Sequence, residues 1–517
     1  MLARVRSAAV IGLEASMVEV EVDVSPGIPT FAVVGLPDAG VREARERVRA
    51  AVRNSGYEMP VRRITVNLAP ADTRKEGSVF DLPIALGILM ATQQVPHGPV
   101  EGLVAIGELS LDGTVRPVPG VLSIALAVRQ QGGRGLLVPE ANAGEAGIVS
   151  RVPVCPVGSL AEIARALRGL TPMRRPSDTG ARAADAAPSL VDLADVRGQA
   201  HVRRALEIAA AGAHNVLMIG PPGAGKTMLA RRLPTILPPL TNDESIEVTR
   251  IYSVCGGLPA GNPLITVRPF RAPHHAVSLQ ALVGGGAVPR PGEVSLAHLG
   301  VLFLDELPEF RRDVLEALRQ PIEEGWVTVA RVHGSVAFPA RCMVVAAMNP
   351  CPCGRRGDGD RACVCSPAQQ LRYLRRLSGP LLDRMDLHVD VPRVSGAELT
   401  TLAPGEASRE VRTRVERARA IQAGRGTGLG IAGLTNGTMP LGQMRTRWRL
   451  CDEVRRFLRR AIDRLSLSPR AYERVVRVAR TIADLDAAPE ILLPHAAEAL
   501  EYRTLDRPVG PVGVEAG

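Results

Sequence analysis

The sequence predicts an α/β protein that consists of an N-terminal α/β domain, a P-loop domain and a helical C-terminal region. Three observations support this fold class. The apolar segment Val216–Ile219 leads into the glycine-rich segment Gly220–Thr227 and then into a helical pattern, which is the order of a P-loop. The segment Val18–Val24 alternates between apolar and acidic residues, as a half-buried strand does. The length of 517 residues is enough for about three domains.

The first domain is predicted to span residues 1–170. After the alternating strand, Ala39–Asn54 has the apolar spacing of a charged amphipathic helix. Residues 171–189 change to Arg, Pro, Ala, Asp and Thr without periodicity, which predicts a linker. The remaining boundaries are predicted at 190–392 for the second domain, at 393–505 for the third and at 506–517 for a tail.

The P-loop contains one of only two lysines in the chain, although lysine and arginine together number 63. At Lys226 a P-loop needs a compact, rotatable ammonium for the β- and γ-phosphates, which the planar guanidinium of arginine does not provide. The Thr227 hydroxyl is expected to bind Mg²⁺. Backbone N–H groups of the loop are expected to surround the phosphates of ATP, and the binding residues are Gly220, Pro221, Pro222, Gly223, Ala224, Gly225, Lys226 and Thr227.

A second apolar strand, Val301–Leu304, ends in two carboxylates. Asp305 is expected to hold Mg²⁺ through its coordination shell, and Glu306 is expected to polarise the attacking water. A strand end that is merely capped by acidic residues is the alternative, but the P-loop upstream favours catalysis. The pair therefore predicts hydrolysis of the bound nucleotide.

Three further polar residues extend the predicted catalytic set. Asn349 follows the apolar strand Met343–Met348, where its amide would orient water beside the γ-phosphate. Arg384 and Arg470 are two candidates for an arginine directed at that phosphate. Such an arginine accelerates hydrolysis by ~10³–10⁵ and often comes from a neighbouring subunit. The chain is therefore predicted to form a ring.

Basic charge is concentrated in the C-terminal part of the chain. The net charge is +10, and residues 409–480 contain 18 arginines and 6 acidic residues, so this segment carries +12 and the rest −2. This distribution indicates a nucleic-acid partner, whereas solvated helix faces and a coding preference for arginine are the alternatives. We expect no membrane segment, because the apolar stretches are far shorter than about 18 residues. The N-terminus lacks an apolar signal core, so a cytoplasmic protein is expected.

Four of the eight cysteines lie in one loop, at Cys351, Cys353, Cys363 and Cys365. In a cytoplasmic protein such clustering favours a metal over disulfides, and four thiolates can close tetrahedrally around Zn²⁺. The Cys-x-Cys spacing is tighter than the usual Cys-x₂₋₄-Cys of zinc sites. Free thiols and a redox pair are therefore the alternatives to structural zinc.

Taken together, these motifs resemble the AAA+ set of the magnesium-chelatase-like ATPases and, more narrowly, the ComM/YifB family of that group. The resemblance covers residues 1–505. Besides the motifs above, it rests on the segments Gly35–Asp38, Asp81–Gly87, Arg271–His275, Met348–Gly354 and Gly379–Asp386.

The resemblance implies an AAA+ αβα domain with a C-terminal helical lid, assembled as a homo-hexamer. It also implies a DNA-dependent ATPase that acts on single-stranded or branched DNA, in branch migration during natural transformation. By the family pattern, Lys226 and Thr227 bind phosphates and Mg²⁺, and Asp305 and Glu306 serve metal and water. Asn349 is sensor 1, Arg384 resembles the arginine finger supplied in trans, and Arg470 resembles the sensor-2 arginine.

The N-terminal domain resembles the proteolytic domain of Lon, which has a ribosomal-S5-like α+β fold. Residues 74–81 parallel the Lon nucleophile segment, and a later segment parallels its lysine segment. In this alignment Val79 occupies the serine position and Leu122 occupies the lysine position, while Ser78 and Lys75 lie beside the nucleophile position. The sequence therefore predicts no peptidase activity and leaves a scaffold or DNA-contacting role.

A chelatase subunit and a non-catalytic scaffold are the alternative functions. A magnesium-chelatase-type subunit that drives metal insertion into a porphyrin would share the ATPase core, but the Lon-like domain and the four-cysteine loop argue against it. A non-catalytic scaffold conflicts with the complete set of hydrolytic residues.

Overall fold

The computed structural model describes the chain outside a set of short segments and forms two units. Unit 1 contains Met1–Ala186 and Thr241–Thr266, and unit 2 contains Ala187–Leu240 and Val267–Gly517. Residues 175–189 of the predicted linker and 507–517 of the predicted tail lie outside the described residues, as do Arg74, Glu76 and Leu190. The segments not described are 72–74, 76, 175–190, 260–261, 287, 332–333, 357–361, 395–402, 429–432, 449, 466 and 507–517.

Unit 1 contains a seven-stranded mixed sheet. The predicted strand lies within Glu14–Ser25, whose residues Val18, Val20, Val22 and Val24 are all buried, so that prediction is confirmed. Leu103–Ala105 and the two strands beyond it pair in parallel, whereas the two longest strands pair antiparallel. The strand order is Thr30–Val34, Arg63–Ala69, Glu14–Ser25, Leu2–Ile11, Leu103–Ala105, Gly135–Pro139 and Val154–Val157. Glu108–Leu109 and Val115–Arg116 form a separate two-stranded ladder.

The helix predicted at Ala39–Asn54 is present with these bounds, so this prediction is also confirmed. It begins where Asp38 accepts a hydrogen bond from the Val41 N–H at 2.7 Å, which satisfies one of the free donors of the first turn. Helix Asp81–Ala91 is buried along its whole length, in agreement with its almost uniformly apolar sequence. The other helices that the structure describes in unit 1 are Val121–Gln130, Ala143–Ala146, Leu160–Leu167 and Asn242–Val254.

Helix Asn242–Val254 packs within unit 1, although the predicted boundaries put residues 241–266 in the second domain. The Ser253 carbonyl accepts from the Gly120 N–H at 3.1 Å, and the Ser253 hydroxyl donates to the buried Glu145 carboxylate. Arg250 donates to the Leu13 carbonyl at 2.8 Å. Unit 1 is therefore completed by a segment that follows the P-loop helix in the chain.

Unit 2 contains a five-stranded parallel sheet. Its order is Phe270–Arg271, Val301–Leu304, Met343–Met348, Val216–Ile219 and Leu387–Asp390. The three strands predicted from apolar runs have the predicted bounds and are confirmed. All of their residues are buried, as expected for a parallel sheet that is covered on both faces.

The helices described in unit 2 pack on this sheet or follow it. Two hairpins pair Gly284–Gly285 with Arg290–Pro291 and Trp326–Arg331 with Gly334–Pro339. The helices before the C-terminal region are Ala200–Gly212, Lys226–Ile236, Leu279–Val283, Glu293–Leu296, Arg312–Ala317, Arg319–Glu324, Pro367–Leu374 and Gly379–Leu382. The C-terminal helices are Ser408–Thr427, Leu441–Arg447, Asp452–Leu465, Pro469–Leu485 and Leu493–Glu501.

The predicted α/β fold class is confirmed, with a parallel sheet and helices that agree with an AAA+ ATPase domain. Among the helices that the structure describes, none combines the length and the apolar composition that a membrane crossing requires.

Candidate nucleotide site and cysteine cluster

The predicted nucleotide-site residues meet at one edge of the sheet in unit 2. Strand Met343–Met348 lies between Val216–Ile219 and Val301–Leu304, and all three strands run parallel. Their carboxyl ends therefore place the P-loop, the two carboxylates and Asn349 side by side. Ligands of open α/β sheets bind at this edge.

The P-loop has the backbone geometry that its glycines allow. Gly223 and Gly225 have φ values of +78° and +87°, in the left-handed region that glycine enters without strain. A Cβ atom at Gly220 would lie 2.2 Å from the Val391 carbonyl oxygen, so this position admits only glycine. Helix Lys226–Ile236 begins directly after the loop, and the free N–H groups of its first turn form an anion-binding end.

Lys226 is nearly buried and contacts both the loop and sensor 1. Its Nζ donates to the Gly220 carbonyl at 2.7 Å, to the Pro221 carbonyl at 3.0 Å and to Asn349 Oδ1 at 3.3 Å. Burial lowers the pKa of this ammonium, and the charges of Asp305 and Glu306 oppose that shift. The structure therefore brings together the lysine, both acids and the asparagine that the sequence predicts.

Thr227 and Asp305 offer oxygen ligands for a hard cation. The Thr227 hydroxyl donates to Asp305 Oδ2 at 2.7 Å, and Asp305 Oδ1 accepts from the Glu306 N–H at 3.0 Å. A hydroxyl next to a carboxylate at a P-loop is the donor set that Mg²⁺ takes together with nucleotide phosphates. The residues present therefore fit magnesium.

Glu306 is held by His275, a residue outside the predicted catalytic set. His275 Nδ1 lies 3.2 Å from Glu306 Oε2, and the His275 ring lies 4.1 Å from that of His274 between centroids. The short strand that precedes His275 could have indicated this contact. Phe270–Arg271 pairs in parallel with Val301–Leu304, so residues that follow these two strands lie next to each other.

Arg384 and Arg470 both lie near one acid, Glu323. Arg384 is 4% exposed, pairs with Glu323 and donates to the Pro380 carbonyl. The Arg384 hydrogen bond lowers the pKa of Glu323, and the positive charges of Arg384, Arg470 and Arg474 add to that shift. Among the described contacts, none joins Arg384 to the P-loop of its own chain. Its action in trans stays a prediction.

The four clustered cysteines converge in space. All four Sγ atoms lie within 4.8 Å of one another, and the cysteines are unbridged. Cys351 Sγ lies 3.4 Å from Cys353 Sγ, and Cys363 Sγ lies 3.6 Å from each of them. A tetrahedral Zn²⁺ with bonds of about 2.3 Å separates its sulfur ligands by ~3.8 Å. The four thiols therefore fit this metal.

Backbone donors favour the ligand form of one of these thiols. Hydrogen bonds from the backbone of Arg355 and Val364 lower the pKa of Cys353 to about 6. The thiolate, not the thiol, is the form that binds metals.

The region of unit 1 that resembles the Lon active site does not form a serine–lysine pair among the described residues. The Ser78 hydroxyl donates to the Glu108 carboxylate, whereas the Lys75 ammonium donates to the Pro70 carbonyl. Leu122 is fully buried in an apolar cluster against which Val79 packs. The positions that match the Lon nucleophile and lysine thus carry apolar packing residues.

Known protein families match most of the chain. Residues 192–399 match the model described as magnesium chelatase, subunit ChlI. Residues 20–142 match subunit ChlI of Mg-chelatase, and residues 405–503 match the C-terminal part of magnesium chelatase subunit ChlI.

Two relatives are similar over nearly their full length. The competence protein ComM of Haemophilus influenzae is 46% identical over 514 residues, which are 98% of this chain and 98% of that protein. The YifB protein of Escherichia coli K12 is 44% identical over 510 residues, again with 98% of each chain covered. The chloroplastic magnesium-chelatase subunit ChlI of Nicotiana tabacum is 26% identical over 205 residues, 36% of this chain and 43% of that protein. The similarity to the first two proteins therefore includes both units.

Proposed function

The chain belongs to the ComM/YifB family of magnesium-chelatase-like ATPases, and on this premise we propose that it is an ATP-driven motor that acts on DNA. The observation that carries the catalytic half of the proposal is the convergence of Lys226, Thr227, Asp305, Glu306 and Asn349 at one sheet edge. A scaffold would not need this set. The hydrolytic reaction needs a phosphate cradle, a metal-binding pair and a water-polarising carboxylate, and all of them are present.

Each residue has a distinct task in the proposed reaction. The Lys226 ammonium neutralises charge on the β- and γ-phosphates, while the N–H groups of the P-loop fix the phosphate chain. Bound Mg²⁺ would neutralise further phosphate charge beside Thr227 and Asp305. Glu306 accepts a hydrogen bond from the attacking water and so polarises it, and Asn349 orients that water. Asn349 is suited to this because its side chain already lies 3.3 Å from Lys226 Nζ.

We propose that Arg384 completes the site of the adjacent protomer in a homo-hexamer. In its own chain Arg384 is occupied by Glu323. A triphosphate carries more negative charge than one carboxylate, so a neighbouring nucleotide can compete for this guanidinium. Arg470 is exposed and its charge acts on the same acid.

The proposed DNA contact is the exposed face of helix Asp452–Leu465. Much of the C-terminal positive charge is internal, since Arg425 and Arg480 both pair with the buried Asp484. By contrast, five arginines of helix 452–465 are exposed, and three of them are spaced four residues apart along one stripe. They are Arg455, Arg456, Arg459, Arg460 and Arg464. Arginine stripes of this kind neutralise phosphates without reading sequence.

The biological setting that we propose follows from the named relative. A competence protein is 46% identical to this chain over 98% of its length, and this similarity supports a role in the uptake or integration of DNA. Branch migration is the activity that we propose. A magnesium-chelatase subunit is the second candidate, because the matching family models carry that description. The partial coverage of the plant chelatase subunit, 36% of this chain, makes it the weaker candidate. We further propose structural Zn²⁺ at the four cysteines.

The test is the ATPase rate of the purified protein with single-stranded, duplex and branched DNA. We expect DNA to stimulate ATP hydrolysis. We also expect the logarithm of the DNA-binding constant to fall with the logarithm of the salt concentration, with a slope of about −0.7 to −0.9 for each phosphate contact. Replacing Arg456, Arg460 and Arg464 by Gln should reduce that slope. Replacing three exposed arginines of unit 1, at Arg53, Arg129 and Arg168, lowers the net charge equally and should leave the slope unchanged. Absence of stimulation by every DNA form would refute the motor.

A further inference from the structure

The loop that carries the four cysteines packs directly against the nucleotide site. Cys351 is fully buried and follows Asn349 by two residues. The Gly354 N–H donates to the Cys351 carbonyl at 2.9 Å and so closes a turn that contains Cys351 and Cys353. The cluster therefore begins where sensor 1 ends.

Gly354 provides the closest approach. Its φ is +75°, and a Cβ atom at this position would lie 2.6 Å from Pro222 Cδ and 3.8 Å from Asn349 Cγ. The backbone at Gly354 thus lies against the P-loop and the sensor at once. Any movement of the Cys351–Gly354 turn would be transmitted to both.

The second pair of cysteines is connected to sensor 1 by helix Pro367–Leu374. Gln370 of this helix donates to the Cys365 carbonyl at 3.1 Å and lies 3.8 Å from Cys363 Sγ. Tyr373, one turn later, lies beside the backbone of Asn349. Asn349 is therefore held from both ends of the cluster.

We propose that a divalent thiophilic metal, Zn²⁺, bound by Cys351, Cys353, Cys363 and Cys365 fixes sensor 1 and the P-loop, so that occupancy of this site sets the rate of ATP hydrolysis. This inference rests on the proposed ATPase function. The four cysteines form no disulfide, so without the metal no bond between their side chains would hold the two cysteine pairs together. The turn at Gly354 would then be free to leave Pro222. Asn349 would lose its fixed position beside the P-loop, and a misplacement of about 1 Å costs ~10²-fold in rate.

The first measurement is the zinc content of the full-length protein, which is prepared without chelators. Elemental analysis measures the bound zinc, and a coloured chelator measures the zinc that is released after the thiols are modified. We expect one zinc per chain. Cys353→Ser and Cys363→Ser should lose the metal and lower kcat for ATP about 10- to 100-fold. Cys451→Ser removes an exposed thiol outside the cluster and should change neither quantity.

The second measurement separates metal binding from its effect on the nucleotide site. Gly354→Ala keeps all four thiols but places a methyl group against Pro222, so it should retain zinc and still lower kcat. Gly433→Ala is the matched control, since Gly433 has a φ of +65° and nothing within 4 Å of its ideal Cβ position. This control imposes similar backbone strain without the clash.

The outcomes distinguish the two proposals. Wild-type protein without stoichiometric zinc refutes the metal site. Zinc-free variants that remain folded by circular dichroism and hydrolyse ATP at the wild-type rate refute the link between metal and catalysis, as does a Gly354→Ala variant that behaves like Gly433→Ala. A wild-type protein that binds zinc but hydrolyses no ATP refutes the proposed function and leaves the metal site in place.

Discussion

The chain has two lysines, and the regions around them differ in a way that explains where catalysis occurs. Lys226 in unit 2 and Lys75 in unit 1 are both buried. Around Lys226, an amide, a hydroxyl and two carboxylates from three strands meet at one sheet edge. Lys75 instead donates to the Pro70 carbonyl, and the nearby Ser78 is hydrogen-bonded to Glu108.

This difference shows that a lysine indicates an active site only when its catalytic partners lie beside it. Each lysine lies in a segment that resembles an active site. A serine–lysine dyad needs the lysine within hydrogen-bonding distance of the serine, and Ser78 contacts the Glu108 carboxylate instead of Lys75. The P-loop site has its complete set of partners. Catalysis is therefore expected in unit 2 alone, and the following experiments test that contrast.

The largest effect should come from Arg384→Ala. If the guanidinium acts on the γ-phosphate of a neighbouring protomer, its loss lowers kcat by ~10³–10⁵. The matched variant is Glu323→Gln, which releases the guanidinium from its own chain and should leave hydrolysis at or above the wild-type rate. Mixing Arg384→Ala with Lys226→Ala protein should restore part of the activity, because each protomer supplies what its neighbour lacks. Equal activity of Arg384→Ala and wild type would show that no such arginine operates.

Glu306→Gln should lower kcat by ~10²–10⁴, the usual contribution of a general base, while ATP binding persists. The amide keeps the shape of the side chain and its contact with His275 but cannot polarise water as a carboxylate does. Titration with a fluorescent nucleotide measures the binding, and phosphate release measures the turnover. Loss of binding in this variant would assign Glu306 to the nucleotide cradle instead of the chemistry.

The two lysines can be compared directly. Lys226→Met should lower hydrolysis by ~10²–10³, because one buried positive charge next to the developing phosphate charge is lost. Lys75→Met should leave kcat unchanged, since its ammonium contacts a backbone carbonyl of unit 1. Turnover should be corrected for the folded fraction of each variant, measured by circular dichroism. A Lys75→Met protein that folds but hydrolyses slowly would contradict the contrast between the two units.

The sequence predicts the P-loop region closely because its signals are local. The strands at Val216–Ile219, Val301–Leu304 and Met343–Met348 are continuous apolar runs, and each is followed directly by its functional residues. Parallel strands then place these residues together without further information. Local patterns are sufficient where a functional side chain directly follows a strand.

Contacts between distant segments are harder to predict. His275 meets Glu306 only because strand Phe270–Arg271, two residues long, pairs beside Val301–Leu304. Residues 241–266 belong to unit 1 because of hydrogen bonds such as that between Gly120 and Ser253. The periodicity of the sequence does not predict these contacts. Glu323 similarly shows no sequence signal as the partner of Arg384.

A smaller effect should come from Ser253→Ala, which tests whether residues 241–266 complete unit 1. The Ser253 hydroxyl, the Leu122 N–H at 2.8 Å and Asn142 Nδ2 at 3.1 Å all donate to the buried Glu145 carboxylate. Loss of one donor to a buried carboxylate should lower the free energy of unfolding by about 1–3 kcal/mol. Chemical denaturation monitored by circular dichroism measures this change.

The pH dependence of that effect has a definite sign. Burial raises the pKa of Glu145 above its ordinary value of 4.5, so its contribution to stability is present below that value and is lost as the pH rises through the folded pKa. The loss caused by Ser253→Ala should therefore be greater at neutral pH than near pH 4.5. Ser245→Ala on the same helix keeps all three donors to Glu145 and should show no such dependence. A pH-independent loss in Ser253→Ala would place its cause outside this carboxylate.

The smallest effect is expected from Ser78→Ala. A peptidase would lose all activity on a substrate such as casein, because the hydroxyl would be its nucleophile. Here the hydroxyl donates to the Glu108 carboxylate and the Lys75 ammonium donates to the Pro70 carbonyl, so the serine–lysine pair of a Lon-like peptidase is not formed. We therefore expect no casein cleavage in the wild type or the variant, and equal ATPase rates in both. Cleavage that disappears in Ser78→Ala would show that unit 1 is a second catalytic centre, and the contrast between the two lysines would no longer hold.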